Sequence, residues 1–319
     1  MRPCRRLLAS VSDHVWRFGA GRPRVAVLGG VHGNELAGVE VVRTLVQELS
    51  QAPQTAGEVT LIIGNPPAVA QATRYIEEDL NRCFDDVFPA KNLEQRRAKE
   101  ISAHLKGLDL LLDLHATNKP SEPFARLPGG TSGRRRRFQA AEQLFLQWLP
   151  ESCQKVLWDP QGLIAGGAMT DEFALRHGPR GATGPVAQIC YEAGLASDAS
   201  VATALLMAVR AALTVVGAVE ATHPCADPLV SERKSTRAWE HYEITEIFRL
   251  DRRGFRWLPP YGAYNFQPVP SGAAYSARGE SEGELLVTRE PSYLVFPKVP
   301  ELWADGKPLG WLARRLNSL

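Results

Sequence analysis

Three short apolar runs separated by helical periods constrain this chain more than any other feature. Arg24 to Gly30, RVAVLGG, is β-branched and apolar and ends in two glycines, the pattern of a buried strand opening into a loop. From Glu35 to Leu49 the residues Leu36, Val39, Val42, Leu45 and Val46 recur at three- and four-residue spacing, which predicts a helix. Val59 to Ile63 reads as a second strand, Leu93 to Leu105 as a helix charged on one side, and Leu108 to Leu114, LDLLLDL, as a third buried strand. This β-α-β-α-β alternation is that of a doubly wound α/β sheet. Further on, the pattern predicts a helix over Phe138 to Leu149, a central strand at Gln188 to Tyr191 and an apolar helix within Ala199 to Val219. From Tyr242 the apolar segments shorten, as in Glu284 to Thr288 and Tyr293 to Phe296, and a helical period returns only at Trp311 to Leu316. The expected division is an α/β domain over residues 1–225 and a smaller β-rich C-terminal domain over 226–319.

Composition narrows the partners. At 319 residues, 44% apolar and 23% charged, the chain has the make-up of an ordinary globular protein. Lys and Arg total 37 against 35 Asp and Glu, a net +2, too balanced for a general polyanion binder, so no nucleic-acid partner is expected. Cys4, Cys83, Cys153, Cys190 and Cys225 are odd in number and irregularly spaced, which suits a reducing compartment. The start lacks the apolar stretch of a secretory signal, because Ser12, Asp13 and His14 interrupt it, and the reading is cytoplasmic. Arg210 splits the Ala199 to Val219 stretch into runs too short to span a bilayer, so no membrane partner is expected.

The chemistry concentrates beyond the strand ends. In Gly29-Gly30-Val31-His32-Gly33-Asn34-Glu35, His32 and Glu35 lie three residues apart where a helix begins and can converge on one cation. Asp113-Leu114-His115 offers a third donor at the end of another core strand. Two His and one Glu, leaving a position open, form the ligand set of a catalytic zinc site. Asp113 lies two residues from His115 on an extended strand and points to the same face, which suits a carboxylate that orients the imidazole, or one that caps the next turn. In Thr73 to Phe84, TRYIEEDLNRCF, the residues Arg74, Asn81 and Arg82 are equipment for gripping a carboxylate and polarising a carbonyl. The alternative for this stretch is a surface helix whose arginines pair internally with Glu77, Glu78 and Asp79.

GGVHGNE, TRYIEEDLNRCF, RRAKEI (Arg96 to Ile101) and DLH, in this order, resemble the aspartoacylase and succinylglutamate desuccinylase family, relatives of zinc carboxypeptidases. The motifs are strongest over residues 24–120, and 121–187 match poorly. The resemblance implies a zinc-carboxypeptidase-like α/β fold, a doubly wound mixed sheet with a smaller β-rich C-terminal domain capping the site. It implies one Zn2+ per chain held by His32, Glu35 and His115, with Arg82 polarising the scissile carbonyl and Arg74 and Asn81 holding the substrate carboxylate. By the same resemblance Glu192, in Tyr191-Glu192-Ala193-Gly194, is the general base. A further family arginine for the second carboxylate corresponds to Arg176 or to Arg180.

The implied activity is hydrolysis of the amide bond of a small anionic N-acyl amino acid by an enzyme that forms a homo-oligomer. The short lead before His32 and the wording TRYIEEDLNR resemble aspartoacylase, with N-acetylaspartate as substrate. Phe296, where aspartoacylases carry a tyrosine, resembles the desuccinylases. A peptide-trimming carboxypeptidase and a catalytically silent metal- or carboxylate-binding protein remain as alternatives. Arg134 to Arg137 reads as a solvated turn that steers anions.

Overall fold

The computed structural model describes residues 13–85, 89–129, 142–143, 146, 154–179, 187–226, 238–250, 254–279 and 283–317. The strands are β1 (Val15–Phe18), β2 (Arg24–Gly29), β3 (Glu58–Ile63), β4 (Leu110–Thr117), β5 (Phe124–Pro128), β6 (Lys155–Asp159), β7 (Ala187–Leu195), β8 (Glu240–Arg249), β9 (Arg256–Trp257), β10 (Gln267–Val269), β11 (Ala274–Arg278), β12 (Glu284–Val287), β13 (Ser292–Val295) and β14 (Pro308–Leu316). The helices are α1 (Leu36–Gln51), α2 (Pro66–Gln71), α3 (Leu93–Leu105), α4 (Thr170–Arg176) and α5 (Ser200–Val215).

Eleven strands form one mixed sheet in the order β1-β3-β2-β4-β7-β5-β6-β8-β14-β13-β10, and β12-β11-β9 form a second. The centre, β3-β2-β4-β7, is parallel. Its strands are buried along nearly their whole length because both faces are covered. All eight residues of β4 are buried. On one face α1 and α5 pack Val39, Val42, Leu45 and Leu49 with Leu205, Val209 and Leu213. On the other, α3 and α4 bury Ala98, Ile101 and Leu105 with Phe173 and Ala174. The expected α/β sheet is therefore present, with the parallel order broken where β5 runs antiparallel to β7.

Two glycines let the first crossover come close. A Cβ on Gly29 would lie 2.2 Å from the Gly38 carbonyl oxygen, so α1 rests directly on the end of β2. Gly30 follows at φ +67, a conformation that costs glycine little, and the chain turns there to present His32.

The helical period at Trp311 to Leu316 is not a helix. These residues belong to β14, which pairs antiparallel with β8 on one side and β13 on the other. Ladder bonds on both edges and burial from Leu309 to Ala313 outweigh a weak local preference. Through β6 and β8 the C-terminal strands continue the same sheet as the N-terminal ones. The boundary placed near residue 226 adjoins residues 227–237, outside the described set, as do most of the helix expected over 138–149, the arginine run 134–137 and Arg180. Among the described residues no helix is long and apolar enough to cross a membrane.

Candidate active site and metal centre

The parallel strands deliver their loops to one edge of the sheet, and the sequence-predicted residues meet there. His32 stands in the loop after β2 and Glu35 at the N-cap of α1, with His32 Nδ1 2.7 Å from Glu35 Oε1. His115, near the end of β4, places its Nδ1 3.0 Å from Glu35 Oε2 and 3.2 Å from His32 Nδ1. All three side chains are buried.

The outer ring nitrogens are held by carboxylates. His32 Nε2 lies 3.1 Å from Asp79 Oδ1, and His115 Nε2 lies 2.9 Å from Asp113 Oδ2. Each ring thus has a carboxylate at both nitrogens, Glu35 on the inner side and Asp79 or Asp113 on the outer. A cation that displaces the inner protons would leave each Nε2–H donated to its outer carboxylate and each Nδ1 lone pair, with Glu35, facing the cation. A tetrahedral zinc with ligand bonds of about 2.0–2.1 Å needs donors roughly 3.3 Å apart, and this nest has that size. The residues present fit a divalent cation, and His32, Glu35 and His115 form a group placed to hold it.

Surrounding side chains fix the nest. Burial works against the charge on Glu35, but His32 and His115 outweigh it and hold the carboxyl well below its ordinary range. Glu35 Oε2 also accepts the Ala116 N–H at 3.1 Å. Thr170 Oγ1 donates to Asp113, fixing the carboxylate that faces His115. Arg74 donates to Asp79 at 2.9 and 3.2 Å and to Glu35 at 3.4 Å. The stretch from Thr73 is not a surface helix: it runs irregularly into one 3-10 turn, Leu80–Arg82, capped by the Asp79 carboxylate. That turn buries Asn81, whose Oδ1 accepts the Thr170 N–H at 3.0 Å and whose Nδ2 lies 3.4 Å from His115 Nε2. Arg82 donates to the Asn81 carbonyl at 2.7 Å and lines the same cavity as His32, Glu35 and His115.

Glu192 lines the same cavity from β7, its Cα opposite His115 on β4 and Phe124 on β5. Burial first, and the nearby Glu35 charge, push its carboxyl up to about 7 against the pull of His115, His32 and Arg74. Arg176 does not join it. Its guanidinium donates to the carbonyls of Gly167 and Phe84 and borders a separate cavity beside Asp159 and Glu172.

Two cations at the site escaped the sequence reading. Arg126, on the five-residue β5, is fully buried and bonded to Asp159, Asp171 and Glu172. Lys298 follows Phe296 and Pro297 after β13, and all three line the cavity with Trp311 and Ile164. The signal for Lys298 was its place two residues beyond Phe296, the position already singled out.

Residues 21–150 match the succinylglutamate desuccinylase/aspartoacylase catalytic domain. The chain is 40% identical to mouse aspartoacylase over 107 residues, 30% of this chain and 34% of that protein. It is 34% identical to a Yersinia enterocolitica succinylglutamate desuccinylase over 148 residues, 42% of each. The chain thus spans between about a third and just under half the length of the curated relatives it matches. In fold it is similar to a Vibrio cholerae succinylglutamate desuccinylase, with TM-score 0.72 at 18% identity, covering 95% of this chain and 86% of that one. Residues 21–150 are thus similar to the catalytic domain of the succinylglutamate desuccinylase/aspartoacylase family, and the whole chain shares the fold of a solved succinylglutamate desuccinylase.

Proposed function

We propose that this chain hydrolyses the amide bond of small N-acyl amino acids, using one zinc ion held by His32, Glu35 and His115. The observation that carries the reading is the convergence of two imidazole Nδ1 atoms and a carboxylate beside the buried Glu192, in one cavity. A zinc ion in that nest supplies Lewis acidity toward the amide carbonyl and lowers the pKa of an attacking water.

The chain's own groups do the rest. Glu192 accepts a proton from the attacking water and returns it to the departing amine nitrogen, a double role that a carboxyl poised near 7 suits. Arg82 donates N–H groups to the carbonyl oxygen as negative charge grows there. Arg74 has used three of its contacts on Asp79 and Glu35, and its remaining donors, with those of Asn81, hold the substrate carboxylate. In this reading Arg176, which borders the separate cavity, has no part in holding the substrate.

The substrate is an N-acyl acidic amino acid, with N-acetylaspartate as the first choice; Phe296 in the cavity wall favours N-succinylglutamate as the second. Cys83, Cys190 and Cys225 are free thiols, which supports a reducing, cytoplasmic setting. The test is amine release from N-acetylaspartate, N-succinylglutamate and N-acetylated aromatic amino acids, with protein of measured metal content. Hydrolysis that follows zinc content is expected. Absence of hydrolysis across the panel at full zinc loading would make the chain a silent metal or carboxylate binder.

A further inference from the structure

Most of the charge in the cavity wall is already balanced. Arg74 is paired with Asp79 and Glu35, and Arg126 with three carboxylates. Lys298 has no carboxylate within ion-pair distance among the described residues. Its ammonium instead sits 5.9 Å from the ring centroids of both Phe296 and Trp311. Aromatic faces hold a cation through the ring quadrupole without cancelling its charge.

The turn that carries Lys298 is fixed at every point. Phe296 adopts φ +49, a left-handed conformation that costs a bulky residue energy and persists only where its surroundings impose it. Its N–H is held by the Asn265 side chain. The Lys298 N–H donates to Leu309, and its carbonyl accepts from the indoles of Trp257 and Trp303. A solvated surface lysine needs none of these anchors.

We propose that Lys298 is a second anion anchor of the cavity, selecting substrates that carry a carboxylate beyond the one Arg74 and Asn81 hold. This rests on the amidohydrolase reading above and names its substrate class, a dicarboxylic N-acyl amino acid whose alkyl segment lies along Phe296 and Ile164. Burial, and then the charges of Arg74 and Arg82, push the ammonium down to about 8, and a bound anion reverses that shift. Lys119, another lysine in the lining, stands on the loop after β4 and serves as the comparison.

The experiment measures kcat and KM for N-acetylaspartate and N-acetylleucine in the wild type, K298M, K298R and K119M. It also measures calorimetric binding of succinate against butyrate to each protein. The expected result is a loss of tenfold or more in the preference for the dicarboxylic substrate in K298M, carried by KM. K298R should recover most of it, and K119M should change it by less than threefold. K298M should also abolish the selectivity for succinate over butyrate. Equal losses on both substrates in K298M, a wild type that already prefers N-acetylleucine, or the loss appearing in K119M instead would each overturn the proposal. If no N-acyl amino acid is hydrolysed, the amidohydrolase reading fails by itself, while the succinate measurement still decides for or against Lys298.

Discussion

His32 and His115 face each other through their Nδ1 atoms at 3.2 Å, each ring held from behind by a carboxylate, Asp79 for one and Asp113 for the other. The outer carboxylates hold the rings so that both Nδ1 atoms point at one place, beside Glu35. Replacing Asp113 by Asn keeps the volume but removes the charge that favours a proton on Nε2. Zinc affinity of Asp113→Asn should fall about 10–100-fold, measured by competition with a chelator. Affinity equal to wild type would mean that the Asp113 contact does not orient His115.

Glu192 stands opposite His115 across the β4–β7 pairing and lines the cavity beside the nest without being one of its three donors. Glu192→Gln should retain one zinc per chain and lose about 10²–10⁴-fold in kcat, the span that a positioned proton-transfer group contributes. Metal content by emission spectroscopy and single-turnover hydrolysis separate the two effects. Substantial turnover in this variant would remove Glu192 from proton transfer.

A pH dependence follows from Lys298. The folded chain holds this proton more weakly than an ordinary lysine at 10.5, with the ammonium pushed to about 8. The unfolded chain therefore binds more protons between these values, and stability rises with pH across that window. Arg74, Arg82, Asp79 and Glu192 also face the ammonium, but the arginines stay charged and both carboxylates are ionised above pH 8, so only the lysine changes there. Melting temperatures of wild type minus K298M should climb from pH 8 to 10, while affinity for succinate falls. A flat difference would mean that Lys298 keeps its ordinary proton affinity.

Gly29→Ala tests the close approach beneath the site. The added Cβ would fall 2.2 Å from the backbone of Gly38, which no side-chain rotation relieves. The variant should lose about 1–3 kcal/mol of stability by denaturant titration and, because α1 carries Glu35 at its start, bind zinc more weakly. A stable variant with unchanged zinc affinity would show that α1 can retreat without moving Glu35.

The residues that converge on the nest were legible because they flank long apolar strands and because His32 and Glu35 sit where a helix begins. The helices α1 and α3 were legible from their spacing, and α3 spans the predicted residues end to end. Arg126 was not, because β5 is five residues long, too short for any period, and its strand character comes from pairing with β6 and β7. Lys298 stands outside any element, and its position depends on a left-handed residue that no local pattern announces. Trp311 was given to a helix because a period over six residues cannot be told from a strand that has neighbours on both sides.

The pairing of β4 has a consequence for how the chain reaches its final state. His115 meets Glu35 across 80 residues of sequence, and β7, with Glu192, must still add to β4 from the other side. Closing loops of that length is slow compared with forming a helix. His32 and Glu35 are synthesised long before His115, so the three donors come together only once the central strands have paired.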